Sequence, residues 1–480
     1  MLNKMLARKS VAQIQGEAKA HALNRSLGKW NLVSLGIGCI IGAGIFVMTG
    51  TAAANHAGPA IILSFVFAGM ACAFAGLCYA ELASVLPVSG SAYTYTYVTL
   101  GEVFAWTMGW LLVLEYGLAA STVAVGWSGY VVSFLKTLGV VLDPLYTAAT
   151  GTIITLADGT QAPAILNLPA VLGVSAVSLL LILGVKESAN VNNFIVMVKV
   201  SVIIAFIGIG AFFVNTDNWV PFMPENEGPG KYGFDGVLRA ASIIFFAYVG
   251  FEAVSTAAAE AKDPQKDMPF GIIGSLIVCT IIYIMVALVL TGIVHYSQLN
   301  VPDPIAVAVD AIGLGWFSFI IKIGAIMGLS SVMLVLLYGQ TRIFYTMAKD
   351  GLLPQFIAKV HPKFQTPYLN TLLVGAIVAV AAGTMPINEL GDLVSLGTLC
   401  AFAMVCLCVL YLHYKEPALE RPYSTPLKPF VPLAGIALCG YLIAQMPWST
   451  FVQLKLFFLG GALIYLFYGM RHSVLNKATK

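Results

Sequence analysis

Four features of this sequence could do chemistry, and all four lie in apolar surroundings. The first is Gly36-Ile-Gly-Cys-Ile-Ile-Gly-Ala-Gly-Ile-Phe46, with four glycines in its first nine positions. Glycine leaves helical geometry readily, and in hydrocarbon each N–H and C=O so released must find a partner. A glycine-weakened apolar segment therefore offers backbone donors and acceptors to a polar solute. The second is Ser242-Ile-Ile-Phe-Phe-Ala-Tyr-Val-Gly-Phe-Glu252, where Ala247 to Gly250 interrupt another apolar run ahead of a carboxylate. The third and fourth are Glu115, within Trp110-Leu-Leu-Val-Leu-Glu-Tyr116, and Lys199, within Phe194-Ile-Val-Met-Val-Lys-Val200.

A charge at the bilayer centre costs about 2.5–3.5 kcal/mol, so Glu115, Lys199 and Glu252 each need a partner, a cavity or a neutral state. A deep carboxylate would attract a cationic group on a solute. Glu115 and Thr122 are seven apart, on one helix face and about 10.5 Å apart along the axis, so that face could line a pathway. A lysine able to give up its proton is a natural coupling group for proton-driven movement. Its ammonium can also stand where another protein holds a sodium ion. Plain packing competes with these readings. Gly38 and Gly42 have the small-xxx-small spacing of close helix contact, and each buried charge could serve a hydrogen bond between helices. Packing leaves Gly44 and the second interruption unexplained.

The elements that must carry these residues are membrane spans. Of 480 residues 59% are hydrophobic and 10% charged, against about 25% charged in soluble domains. Runs of about 20 apolar residues cross a bilayer. About twelve occur, near 31–52, 59–86, 101–134, 166–186, 191–214, 239–257, 270–293, 313–345, 366–384, 391–413, 430–446 and 451–470. Lys4, Arg8, Lys9, Lys19, Arg25 and Lys29 precede span 1. The even-numbered connections hold Lys186, Lys262, Lys266, Arg342, Lys349, Lys359, Lys363, Lys415, Arg421 and Lys428. The odd-numbered ones offer Lys136, Lys231 and, at the edge, Arg239. This asymmetry places both termini in the cytoplasm and supports an even span count. The basic, polar first 30 residues do not read as a cleavable signal; a weakly amphipathic surface helix is expected within the first 24. Lys322 and Lys455, near span ends, are expected to snorkel.

Spans 1 and 6 carry interruptions in corresponding places, the pattern of an inverted-repeat carrier with its binding site between the halves. The expected fold is an all-α integral membrane protein of about 12 transmembrane helices, a 5+5 inverted repeat with broken helices 1 and 6. Residues 1–30 form a cytoplasmic segment and 31–413 the core, with repeats near 31–214 and 239–413. Residues 430–470 form two accessory helices and 471–480 a tail.

Five stretches in order carry a family resemblance: Gly36–Phe46; Tyr79-Ala-Glu-Leu-Ala through Pro87-Val-Ser-Gly-Ser-Ala-Tyr-Thr-Tyr95; Gly109-Trp through Leu114-Glu-Tyr116; Phe245–Glu252 with Glu260-Ala-Lys-Asp-Pro-Gln-Lys-Asp-Met-Pro269; and Arg342-Ile-Phe-Tyr-Thr-Met-Ala-Lys-Asp-Gly-Leu-Leu-Pro354. Together they resemble the amino acid–polyamine–organocation transporters, within them the bacterial members of the cationic amino acid transporter family. The eukaryotic members of that branch are longer, with about fourteen spans. The resemblance implies that N–H groups around Gly42, Ala43, Gly44 and Ile45 receive a substrate carboxylate. It implies that carbonyls of Ile40 and Ile41, and of Phe245, Phe246 or Val249, receive the α-ammonium beside Ala247. Phe246 and Tyr248 become candidates for an aromatic lid, and Met327, Ser330 and Ser331 for the far wall. Lys199 occupies the place of a sodium ion in sodium-coupled relatives, which implies proton coupling or uncoupled transport. Glu115, Thr122 and Glu252 are left to choose the side chain.

The expected function is a proton-coupled permease of the cell membrane that imports cationic amino acids and also passes small neutral ones such as alanine. The rivals are an exchanger, an uncoupled facilitator and a polyamine carrier. The six histidines sit near loops or span ends without metal-ligand spacing, and no nucleophile motif is present, so no enzyme, cofactor or metal is expected. The eight cysteines read as small buried hydrophobes. Expected partners are the amino acid, protons and membrane lipids. A small single-span membrane protein or a sterol-like lipid is a further candidate for the outer grooves; no nucleic acid is expected.

Overall fold

The computed structural model of the chain describes residues 7–9, 27–86, 91–156, 159–184 and 189–475. Most of the expected N-terminal surface helix, Pro87–Gly90 of the second motif, Lys186 and the last five residues lie outside them. Helix makes up 76% and strand 2%, the strand being one hairpin, Ile153–Thr155 with Gln161–Pro163.

Eight helices are long and apolar enough to cross a membrane, and three shorter apolar ones join them. One of the eight, Gly44–Val85, has 42 residues, about 63 Å of helix against a hydrocarbon core of about 30 Å. It turns back at Gly58 (φ +57°), so it holds the second half of span 1 and all of span 2, Ile61–Val85. With Lys29–Ile40 as the first half of span 1, the described residues make twelve crossings. Spans 3 to 5 are Glu102–Thr137, Leu168–Leu183 and Ala189–Gly210. Span 6 is Gly233–Ser255 and span 7 Pro264–Ile293. Spans 8 to 10 are Gly315–Lys349, Tyr368–Thr384 and Ile387–Lys415, and spans 11 and 12 are Phe430–Ala444 and Trp448–His472.

Most of the packing is kept when each span from 1 to 5 is exchanged with the one five later. Span 1 packs on 7 as 6 packs on 2, 5 on 8 as 10 on 3, and 4 on 8 as 9 on 3. Spans 2, 3 and 4 also touch 7, 8 and 9, and the two interrupted helices meet at their breaks. Spans 11 and 12 attach outside this set, to 10, 2, 6 and 3. Burial follows the same order: 94% of the apolar window of span 6 is buried, against 17% for span 12. In a lipid environment interiors are recognised by close backbone approach rather than by apolarity.

Gly44 is such an approach. A Cβ there would run into the Ala247 backbone, so Gly44→Ala should force the two broken helices apart and cost about 1–3 kcal/mol. Gly208, whose Cβ would meet nothing within 4 Å, is the control. In melting curves of the detergent-solubilised protein, Gly44→Ala should fall clearly below Gly208→Ala and wild type.

Candidate functional site

Span 1 stops where its backbone turns. Ile41 N–H bonds to Ile37 O at 3.0 Å, and Ile41 then takes an extended conformation (φ −72°, ψ 101°). The second half begins with Phe46 N–H bonding to Gly42 O at 3.2 Å. The N–H groups of Gly42, Ala43, Gly44 and Ile45 are thus the four orphan donors of a helix N-terminus, without a backbone acceptor among the described residues. They sit at the positive end of that half-helix and are buried. Span 6 breaks beside them: Phe245–Tyr248 tightens to a 3₁₀ turn, Val249 is extended, and Gly250 has φ +119°. A Cβ on Gly250 would lie 2.6 Å from Cys39 O, so only glycine fits there.

The carbonyls of span 1 are partly claimed already. Lys199 Nζ donates to Gly38 O and, at 3.0 Å, to Ile41 O. Tyr283 OH, on span 7, lies 2.9 Å from both Ile40 O and Ala247 O and ties the two breaks together. Ile40 and Ile41, read as presenting free carbonyls, are partly taken: Lys199 donates to Ile41 O, and the one Tyr283 hydrogen is shared between Ile40 O and Ala247 O. Phe246 O accepts Val249 N–H at 3.1 Å. Two contributors were missed from the sequence. Tyr283 is one of four hydroxyl residues of span 7, and nothing in the sequence singles it out from Ser275, Thr280 and Thr291. Gly328 makes room for the Lys199 stem, since a Cβ there would be 3.1 Å from Lys199 Cβ.

The wall residues divide. Tyr248 is not a lid in this conformation: its OH donates to Phe65 O at 2.9 Å, and its ring packs edge-on against Phe65 and Tyr283. Phe245 packs on Phe402 of span 10, which leaves Phe246, buried, as the lid candidate. Val332, not Met327, meets Gly42: a Cβ there would touch it at 3.2 Å. Met327 is half-buried. Ser330 turns away from the breaks; its hydroxyl accepts the Trp127 indole N–H at 2.9 Å and donates to Ile326 O at 2.8 Å. Ser331 shares the face of Gly328 and Val332 by spacing. Thr122 donates to Leu118 O at 2.9 Å. It lies one turn before Gly126, whose missing side chain admits Val47 of span 1.

Glu115 departs from the expected line with Thr122 because Val113–Leu118 forms a π turn, and a π turn carries an extra residue. The Glu115 carboxyl instead neighbours that of Glu252, and neither of its oxygens has a hydrogen-bond partner among the described residues. Glu252 accepts Gly250 N–H at 2.8 Å and Tyr116 OH at 3.3 Å. Both carboxyls are fully buried.

The family profile described as amino acid permease matches residues 27–470. The chain belongs to the amino acid permease family. This permease is 47% identical over 468 residues to the branched-chain amino acid permease BcaP of Bacillus subtilis, covering 97% of each. It is 44% identical over 476 residues to the methylthioribose transporter of the same species, covering 99% of this chain and all of that one. It is 37% identical over 422 residues to the vacuolar cationic amino acid transporter 4 of Arabidopsis thaliana, covering 87% of this chain and 68% of that protein. The permease is therefore a multi-pass membrane transporter and not an enzyme.

The motif carboxylates away from the breaks fasten the face that bears the chain ends. Glu81 holds His413 at 2.7 Å, Arg421 at 3.2 Å and the Thr425 N–H at 2.8 Å. Asp350 holds Lys9 at 2.7 Å and Tyr93 OH at 2.8 Å. On the opposite face the permease is closed over the breaks. Arg239 of span 6 donates to both oxygens of Asp392 on span 10 at 2.7 Å, with both residues 8% exposed. Tyr130 OH donates to Phe46 O at 2.7 Å. Beside this closure lies a cavity of about 470 Å³ lined by Lys136, Asp303, Asp310 and Lys322 among others. Lys322 does not snorkel: it is buried and bonds Asp310 at 2.9 and 3.0 Å.

Asp392→Asn would leave the Arg239 charge buried without its counter-ion, a loss of about 3–5 kcal/mol. It should lower the melting temperature, and the exchanged pair Arg239→Asp with Asp392→Arg should recover part of the loss. Burial pushes the Asp303 carboxyl from the ordinary 3.8 up to about 6. The folded state then binds that proton more tightly than the unfolded chain, so its stabilising contribution holds at low pH and fades as pH rises from 3.8 through about 6. Asp303→Asn should melt above wild type beyond about pH 7, and the two should converge near about pH 4.

Proposed function

We propose that this permease imports amino acids together with protons across the cell membrane by alternating access, favouring cationic ones such as arginine, lysine and ornithine and also passing alanine. One observation carries the reading. Four orphan N–H groups at Gly42–Ile45 form a carboxylate receptor at a half-helix N-terminus, while the Lys199 ammonium holds the other side of the same break. A lysine there can release the carbonyls of span 1 when it gives up its proton, which links protonation to the geometry of the break. Glu115 and Glu252 supply the only deep negative charge beside it among the described residues, and they support the cationic preference. The core would run over 31–413 with repeats at 31–214 and 239–413, flanked by accessory helices at 430–470, and the basic residues around the chain ends support cytoplasmic termini. A second reading, a neutral branched-chain substrate, is favoured by the 47% identity to the Bacillus permease of that name.

Reconstituted vesicles with an inward proton gradient and no sodium should accumulate labelled arginine several-fold over vesicles without the gradient. Lys199→Ala should lose that response. Uptake indifferent to the gradient in wild type would reject proton coupling. Uptake of each labelled substrate divides the readings: labelled leucine accumulating where labelled arginine does not would favour the branched-chain one.

A further inference from the structure

Glu115 and Glu252 are two acceptors facing one another, and they are not equivalent. Glu252 already receives the Gly250 N–H at 2.8 Å and the Tyr116 hydroxyl at 3.3 Å. Neither oxygen of Glu115 meets a donor among the described groups. Two bare carboxylates, both fully buried, repel and forgo the hydrogen bonds that each requires. A single proton on Glu115, donated to Glu252, supplies the missing bond. The other titratable groups that face the pair are Tyr79 and Cys72 on span 2, Tyr116 on span 3 and Cys39 on span 1. All four are neutral in their protonated forms. Cys39 also lies within the field of Lys199. The buried charge around the breaks then sums to zero: Lys199 positive, Glu252 negative, Glu115 neutral.

We propose that Glu115 and Glu252 form a one-proton carboxyl pair, a proton site additional to Lys199, and that a cationic amino acid displaces this proton when it binds whereas a neutral one leaves it in place. The inference rests on the proposed amino acid permease function and sharpens its cationic preference. A zwitterion of zero net charge adds nothing to the balanced core. Arginine adds one positive charge, and in a low-dielectric site that charge is tolerated only if one leaves. The O–H bond of Glu115 breaks, its electrons stay on the carboxylate, and the proton passes to bulk water. The guanidinium then stands against two carboxylates where a proton had stood between them.

The full-length protein in detergent supports two measurements in wild type. Infrared spectra at neutral pH should contain a protonated-carboxyl carbonyl band, and that band should be missing from Glu115→Gln. Calorimetric titrations in buffers of different ionisation enthalpy should count about one more proton released for arginine than for alanine. In Glu115→Gln, whose amide can still donate to Glu252 but has no proton to give up, that difference should vanish. Arginine affinity should also fall at least tenfold more than alanine affinity. Absence of the band in wild type, or equal proton counts for the two ligands, overturns the pair. Arginine that fails to bind wild type while alanine binds rejects the cationic reading and the displacement step with it, and the infrared band then decides the pair alone.

Discussion

A helix cannot be opened inside hydrocarbon unless something takes up its backbone groups, and here that duty falls to the Lys199 ammonium and the Tyr283 hydroxyl. Lys199 holds Gly38 and Ile41 carbonyls, and Tyr283 holds one carbonyl from each break. With the acceptors on one side of the gap occupied, the donors at Gly42–Ile45 on the other side are left over, and a ligand carboxylate can complete them. The site is therefore the unmatched remainder of a set of backbone groups that the rest of the core satisfies.

The rest of the structure follows from keeping that gap in place. Gly44 and Gly250 let the broken strands of spans 1 and 6 touch each other's backbone, Gly328 clears a path for Lys199, and Gly126 lets span 3 close on Val47. The two interrupted helices, spans 1 and 6, meet each other at their breaks. The Arg239–Asp392 pair on one face and the clusters around Glu81 and Asp350 on the other are bonds between segments far apart in the chain. Under the proposed alternating access, such bonds must break and re-form.

The proposed choice of substrate rests on the buried carboxyls. The π turn at Val113–Leu118 swings Glu115 toward Glu252, whereas Thr122, one regular helical stretch later, stays with the face that lies along span 1. One extra residue in a turn thus separates a residue that meets charge from one that meets backbone.

Hydropathy, the two interruptions and the three deep charges were legible along the chain, because each violates what a bilayer tolerates and such violations are local. They determined a helical membrane protein with broken spans 1 and 6, and they marked Lys199, Glu115 and Glu252 as residues needing partners. The partners themselves came only with the tertiary structure. That Tyr283 bridges the breaks, that Ser330 faces Trp127, that Tyr248 packs on Phe65 and that Lys322 pairs with Asp310 depend on the rotation of each helix about its axis. In helices that are apolar on every side, no contrast between a greasy and a polar face sets that rotation; it is fixed by which small residues allow close approach and which polar groups must meet.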